Sequence, residues 1–246
     1  MHITVIVPKR GINDDGLGKK HALHKLITEA NTDYVWLQDD DITPPTATPS
    51  TTADLLILPL RMVGGTSLIE RLQIAEYAAI QQITIRTAQQ GHHVMCSGAN
   101  LIVRRDRWLE SYPDIHPEIP SGDDMFLLES FKRRGLSIAV LDQPQYTATI
   151  QAIPTLRQLL HQRMRWAGKA PHYTDRDIIR YGALVVGLNM LQLLCPLILL
   201  VKFPYEYHII KQRDASVSLF DAFLLELLYP FYLLICLIGG LFRHQW

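Results

Sequence analysis

The sequence predicts an α/β domain built on a largely parallel sheet, followed by an appendage of two apolar helices. Three observations carry this. Up to about residue 175, short strand-like apolar runs alternate with segments of helical period. Beyond residue 175, two long apolar runs dominate the chain. The 24 basic and 24 acidic residues leave no net field to draw the chain to nucleic acid. The three cysteines show no CxxC or Cys/His spacing, so neither zinc nor a disulfide framework is expected.

The elements follow in order. Residues 3–7 are mostly β-branched and stop at Pro8, as a buried strand would. A polar loop from Gly11 to Gly16 follows. Ala22, Leu23, Leu26, Ile27 and Ala30 recur at helical spacing over residues 18–30. Tyr34-Val35-Trp36-Leu37 is a second strand, ended by Asp39-Asp40-Asp41, and Leu55–Leu58 a third after a loop rich in Pro, Thr and Ser. Residues 67–90 lack Gly and Pro and predict a long helix. Val94–Cys96 and Leu101–Val103 are expected as short strands around Ser97-Gly98-Ala99-Asn100. A helix over 123–134, capped by Gly135, leads to a strand at 138–141, and a further helix starts near Pro154.

Residues 182–201 carry no charge and would make a helix of about 30 Å, the thickness of a bilayer core. A buried core helix is the alternative, and Asn189 and Gln192 are its sparse polar positions. The second run, 219–242, has Asp221 and Glu226 near its start and Pro230 within, which fits a tilted span or a re-entrant hairpin. The division expected is residues 1–175 and 176–246. Charge does not orient the spans: Lys202, Lys211 and Arg213 in the connection balance Arg176, Arg180 and Arg243 outside it.

Several residues carry chemistry. Asp39 and Asp41 sit at a strand end, where α/β sheets bind ligands. Both can turn toward Mg²⁺ or Mn²⁺, which takes one or two carboxylates beside phosphate oxygens and water; a solvated turn is the plain alternative. Asp123 and Asp124 open a helix, as caps or as a base accepting a hydroxyl proton. Arg165 offers a fork for a pyrophosphate and Trp166 an apolar face for a sugar ring, unless their helix merely rests on anionic lipid. Gly18-Lys19-Lys20 opens a helix that could hold phosphate. Gly98 suggests close backbone approach at a cleft wall.

Taken in order, Gly-Lys-x-x-Ala-Leu (18–23), Asp-x-Asp (39–41), Gly-Ala-Asn (98–100), Gly-Asp-Asp (122–124) and Gln-x-x-Arg-Trp (162–166), ahead of paired apolar helices, resemble the processive-type, membrane-anchored branch of family 2 glycosyltransferases. The resemblance covers nearly the whole chain. It implies a GT-A fold over residues 1–175, a membrane anchor over 176–246, and an inverting single displacement, of the hexosyltransferase type, from a nucleotide-sugar to a glycan or lipid-linked acceptor. By that resemblance Asp39 and Asp41 bind the metal and diphosphate, and Asp124 is the base, with Asp123 where the family usually has Glu. Lys19, Gly98, Asn100, Gln162, Arg165 and Trp166 line the substrates. The catalytic domain would face the cytoplasm at the inner membrane.

The family usually places a strand, a helix and a second strand with an acidic pair before its Gly-Lys turn. Here 17 residues precede Gly18 and Asp14-Asp15 is no substitute, so half of the donor site is expected to be missing from this chain. The rival from another class is a non-catalytic membrane protein that keeps the glycosyltransferase shape to bind glycan or a partner. A different Asp-x-Asp phosphotransfer enzyme would leave Gln162 to Trp166 unexplained.

Overall fold

The computed structural model describes residues 2–9, 17–119 and 121–242. Seven strands and eight α-helices are described: β1 (Ile3–Ile6), α1 (Lys19–Glu29), β2 (Tyr34–Gln38), β3 (Leu55–Ile57), β4 (Leu60–Val63), α2 (Leu68–Gln89), β5 (Asn100–Arg104), α3 (Arg105–Ser111), α4 (Asp123–Arg133), β6 (Ile138–Val140), β7 (Ala148–Gln151), α5 (Leu156–Ala167), α6 (Arg176–Leu194), α7 (Leu199–Arg213) and α8 (Leu219–Leu241). The polar loop 11–16, with Asp14-Asp15, and Arg243 lie outside the described residues.

The chain forms two compact units. The first comprises Met1–Leu60 and Thr87–Ile150, the second Arg61–Arg86 and Gln151–Gln245. The first unit holds the main sheet, in the order β1-β2-β5-β3-β6. β1 pairs with β2, and β3 with β6, in parallel, while β5 runs antiparallel between β2 and β3. Four strands therefore share one direction, and the sheet is mostly parallel as the alternation of elements predicts. The period of two sorts its side chains. Trp36, Leu56 and Ile102 form one buried cluster, with Leu58 beside them. Val35, Leu37, Leu55, Leu101 and Val103 point the other way and are fully buried, as are Leu23, Ile27, Trp108, Phe126 and Phe131 of the helices.

Some local expectations are corrected. Val94–Cys96 is not a strand, because it finds no ladder partner, although Val94 and Cys96 are buried. Strands β4 and β7 pair with each other and were not expected. Gly135, at φ 65°, closes α4: its N–H donates to the Lys132 carbonyl and that of Leu136 to the Phe131 carbonyl.

The second unit holds α2 through Arg86, and α5 to α8. The apolar run 182–201 is not one helix. Helix α6 starts at Arg176 and stops at Leu194; Pro196 lacks the N–H to continue it, a short 3-10 turn follows, and α7 begins at Leu199. The expected loop after residue 201 is mostly helix α7. α8 runs unbroken through Pro230. Both α6 and α8 are long and apolar enough to cross a membrane.

The polar residues that interrupt these apolar runs are paired with one another. The Lys202 ammonium bonds the side-chain oxygens of Asn189 and Gln192 at 3.0 Å each, and that of Glu226, with Glu206 at 3.5 Å. Lys202 is therefore a buried ion and not a loop charge. Asp221 meets Arg71 of α2 at 3.1 Å.

Candidate active site

The first unit gathers four segments far apart in sequence. Two glycines start the helices that bring them in. Gly18, at φ 92°, precedes α1 and makes Lys19 its first residue. Gly122, at φ 85°, precedes α4 and makes Asp123 and Asp124 its first two. A side chain would be strained at either φ. Asp39 follows the last residue of β2, and Asp40 and Asp41 lie exposed in the turn beyond.

Lys19 joins these parts. Its ammonium lies 2.6 Å from Asp39 Oδ1 and 3.3 Å from Asp123 Oδ2. A cation at a helix N-terminus is disfavoured by the helix dipole, so the two carboxylates must hold it there. Burial works against the charged amine, but Asp123, Asp39 and Asp124 outweigh it and raise the pKa of Lys19 above the ordinary lysine value.

The acid pair opening α4 takes two different environments. Asp123 is buried. Asp124 is half-buried and accepts backbone N–H bonds from Gly98 at 3.2 Å and from Met125 at 2.8 Å. Neither caps the helix in the way that Ser or Asp before a helix would, since the capping residue is Gly122 and makes no side-chain bond. A Cβ on Gly98 would stand 2.8 Å from Asp123 Oδ2. The close approach expected at Gly98 is therefore to the acid pair itself.

The Asn100 side chain is engaged by protein. It is fully buried: its amide donates to the carbonyls of Pro59 and Tyr146 and its oxygen accepts from the Trp36 indole. Lys20, beside Lys19, is likewise internal, and bonds the Ile115 and His116 carbonyls at 2.6 and 2.8 Å with its ammonium near the Phe126 ring. It anchors the loop that leads to Asp123. Sequence reasoning passed over Cys96, whose thiol donates to the Asp124 carbonyl at 3.3 Å. Burial, with Asp124 and Asp123 adding to it, pushes that thiol well up, so it stays protonated.

Gln162, Arg165 and Trp166 belong to the second unit, on α5, which starts at Thr155 with a side-chain bond from the Gln158 N–H. Arg165 is exposed, and Gln162 and Trp166 are half-buried. Between them Arg163 is buried and paired with Glu76 of α2 at 2.8 Å. Nothing in the spacing of the motif singled out Arg163 or Glu76.

Among the described residues no group of three or more His, Cys, Asp or Glu is placed to hold a metal. The cation that Asp39 meets is the Lys19 ammonium.

No curated protein matches the chain. The family model described as glycosyltransferase-like family 2 matches residues 1–169, a span that includes every motif from Gly18 to Trp166. The order of those motifs, and a fold that assembles Lys19, Asp39 and the acid pair from three of them, agree with that match, and the chain belongs to glycosyltransferase family 2.

Proposed function

We propose that the chain is an inverting glycosyltransferase, of the hexosyltransferase type, moving a sugar from a nucleotide-sugar donor to a hydroxyl of a glycan or lipid-linked acceptor. One observation carries the reading: the Lys19 ammonium draws the strand-end Asp39 and the helix-opening Asp123 to a single point, with Asp124 adjacent. Opposed charges of this kind suit a reaction in which an anionic diphosphate departs while a hydroxyl gives up its proton.

In the proposed step Asp124 takes the proton of the acceptor hydroxyl. The acceptor oxygen bonds the anomeric carbon as the bond from that carbon to the diphosphate oxygen breaks, and the diphosphate leaves with the electron pair. Lys19 meets charge on the diphosphate, Asp123 holds Lys19, and Gly98 keeps Asp124 oriented through its N–H. In the second unit Arg165 is the proposed diphosphate contact, and Gln162 and Trp166 the acceptor contacts. Mg²⁺ or Mn²⁺ bound at Asp39 and Asp41 would neutralise charge on the leaving diphosphate. Two carboxylates fit a cation that completes its shell with phosphate and water.

The apolar helices α6 and α8 support membrane association, and with cytosolic nucleotide sugars as donors the catalytic residues would lie on the cytoplasmic side of the inner membrane. A second reading, a non-catalytic glycosyltransferase-like binding protein, is favoured by the two backbone N–H bonds that Asp124 accepts, since they engage both of the oxygens that a base would turn toward an acceptor hydroxyl.

The purified chain in detergent, offered a panel of nucleotide sugars with Mg²⁺ or Mn²⁺, is expected to release nucleoside diphosphate. Asp124→Asn should lower turnover by about 10²–10⁴-fold. Release unchanged in D124N would remove Asp124 as the base. Donor binding without release by the wild type would favour the binding-protein reading.

A further inference from the structure

We infer that Arg163, locked to Glu76, is the positioning residue that sets the Trp166 ring and the Gln162 amide. The inference rests on the acceptor role proposed above for those two residues.

The guanidinium of Arg163 is fully engaged within the second unit. Nη2 lies 2.8 Å from Glu76 Oε2, and Nε donates to Glu76 Oε1 at 3.4 Å. Nη1 donates to Gln162 Oε1 at 2.5 Å. The flat face of the group lies over the Trp166 ring, 4.1 Å from its centroid. All three nitrogens and one face are therefore occupied by protein. That engagement, together with its burial, argues against Arg163 as a phosphate ligand, while the exposed Arg165, two residues on along the same helix, points away from it.

A buried ion pair is seldom more stabilising than two apolar side chains in its place. What this one supplies is geometry. The carboxylate of Glu76 fixes the plane of the fork, and that plane fixes both the indole stacked on it and the amide at its edge. Lysine could keep the charge, but it has neither the fork nor the plane. Glu76 projects from α2, whereas Gln162, Arg163 and Trp166 project from α5. The pair thus ties the orientation of the motif to a residue 87 positions earlier in sequence, which no local pattern would show.

The test uses the full chain in detergent micelles, labelled with 5-fluorotryptophan and observed by ¹⁹F NMR. The resonance absent from Trp166→Phe identifies Trp166 among the four tryptophans. Glu76→Gln and Arg163→Met each strand a buried charge and can unfold the chain, so the paired E76Q/R163M variant, which strands neither, is measured as well. The Trp166 resonance is expected to shift in the paired variant while the other three stay in place. Arg163→Lys is expected to keep the fold and yet leave the resonance shifted. With any donor and acceptor that the wild type turns over, acceptor KM should rise about tenfold in R163K and donor KM should hold. A Trp166 resonance at its wild-type position in both R163K and the paired variant overturns the inference. A shifted resonance upholds it, and if acceptor KM then stays constant in W166F too, the failure belongs to the acceptor role of Trp166 and not to its positioning by Arg163.

Discussion

Lys19 and Lys20 are adjacent and chemically identical, yet the fold gives them opposite tasks. Lys19 faces two carboxylates, whereas Lys20 turns inward to two carbonyls. A Lys20→Met substitution leaves the Ile115 and His116 carbonyls without their donor and should lower stability by about 1–3 kcal/mol in a denaturant melt. Lys19→Met takes the partner from the buried Asp123 and should lower stability too, but it should also weaken donor binding, which Lys20→Met should leave intact. The reverse pattern would mean that the two roles are misassigned. Asp54 makes a pH prediction at the same scale. Burial opposes its charge, but the hydroxyl and N–H of Ser137, with Arg104 and Arg107, overcome that and lower its pKa. A depressed carboxylate stabilises the fold above its unfolded pKa, and that stability is lost as pH falls through the folded value. Asp54→Asn should therefore melt below the wild type at pH 7, and the gap should begin to narrow as pH drops below about 4 and close below the folded value. A gap that persists at lower pH would show that the charge is not what Asp54 contributes.

At the scale of elements, the C-terminal helices are held together by the residues that most disturb their apolar patterns. Asn189 and Gln192 of α6, Glu206 and Lys202 of α7 and Glu226 of α8 meet at one ammonium. Lys202→Met would leave Glu226 charged and buried without its partner, a loss of about 3–5 kcal/mol. Adding Glu226→Gln should recover most of it, and a double variant as unstable as the single one would show that the pair is not coupled. The helix carrying Arg165 and Trp166 has a different fastening. A Cβ on Gly240 of α8 would stand 2.8 Å from the Gly168 nitrogen at the end of α5, and one on Gly239 would strike Met164 at 2.6 Å. Small residues let the two helix backbones approach, as they do in membrane helix pairs.

At the scale of the whole molecule, the two compact units interleave along the chain. The chain leaves the first unit after Leu60, returns at Thr87 and leaves again after Ile150. Helix α2, which a linear reading assigns to the soluble domain, thereby supplies Glu76 and Arg71 to the second unit. That unit also exposes large apolar side chains along α6, α7 and α8, among them Leu194, Leu200, Phe231 and Leu241. Exposed apolar surface on this scale marks a lipid or protein interface. With lipid as the solvent, the chain should stay with the membrane fraction through an alkaline carbonate wash and come off only in detergent; release by carbonate alone would argue against a spanning anchor.

By itself the sequence determined the α/β class and the starts of α1, α2, α4 and α8, and its order of motifs set Asp39, Asp123 and Asp124 together as an expectation. These depend on local periodicity, on glycines at helix starts, and on an order of motifs that can be read along the chain. Only the tertiary structure decided that Lys20 turns inward, that Asn100 is a buried clamp, that Val94–Cys96 lacks a strand partner, and that Arg163 belongs to Glu76. Each of these turns on a partner dozens of residues away, and a side chain's task is set by what is packed against it. Local pattern is silent about that neighbour until the chain has closed.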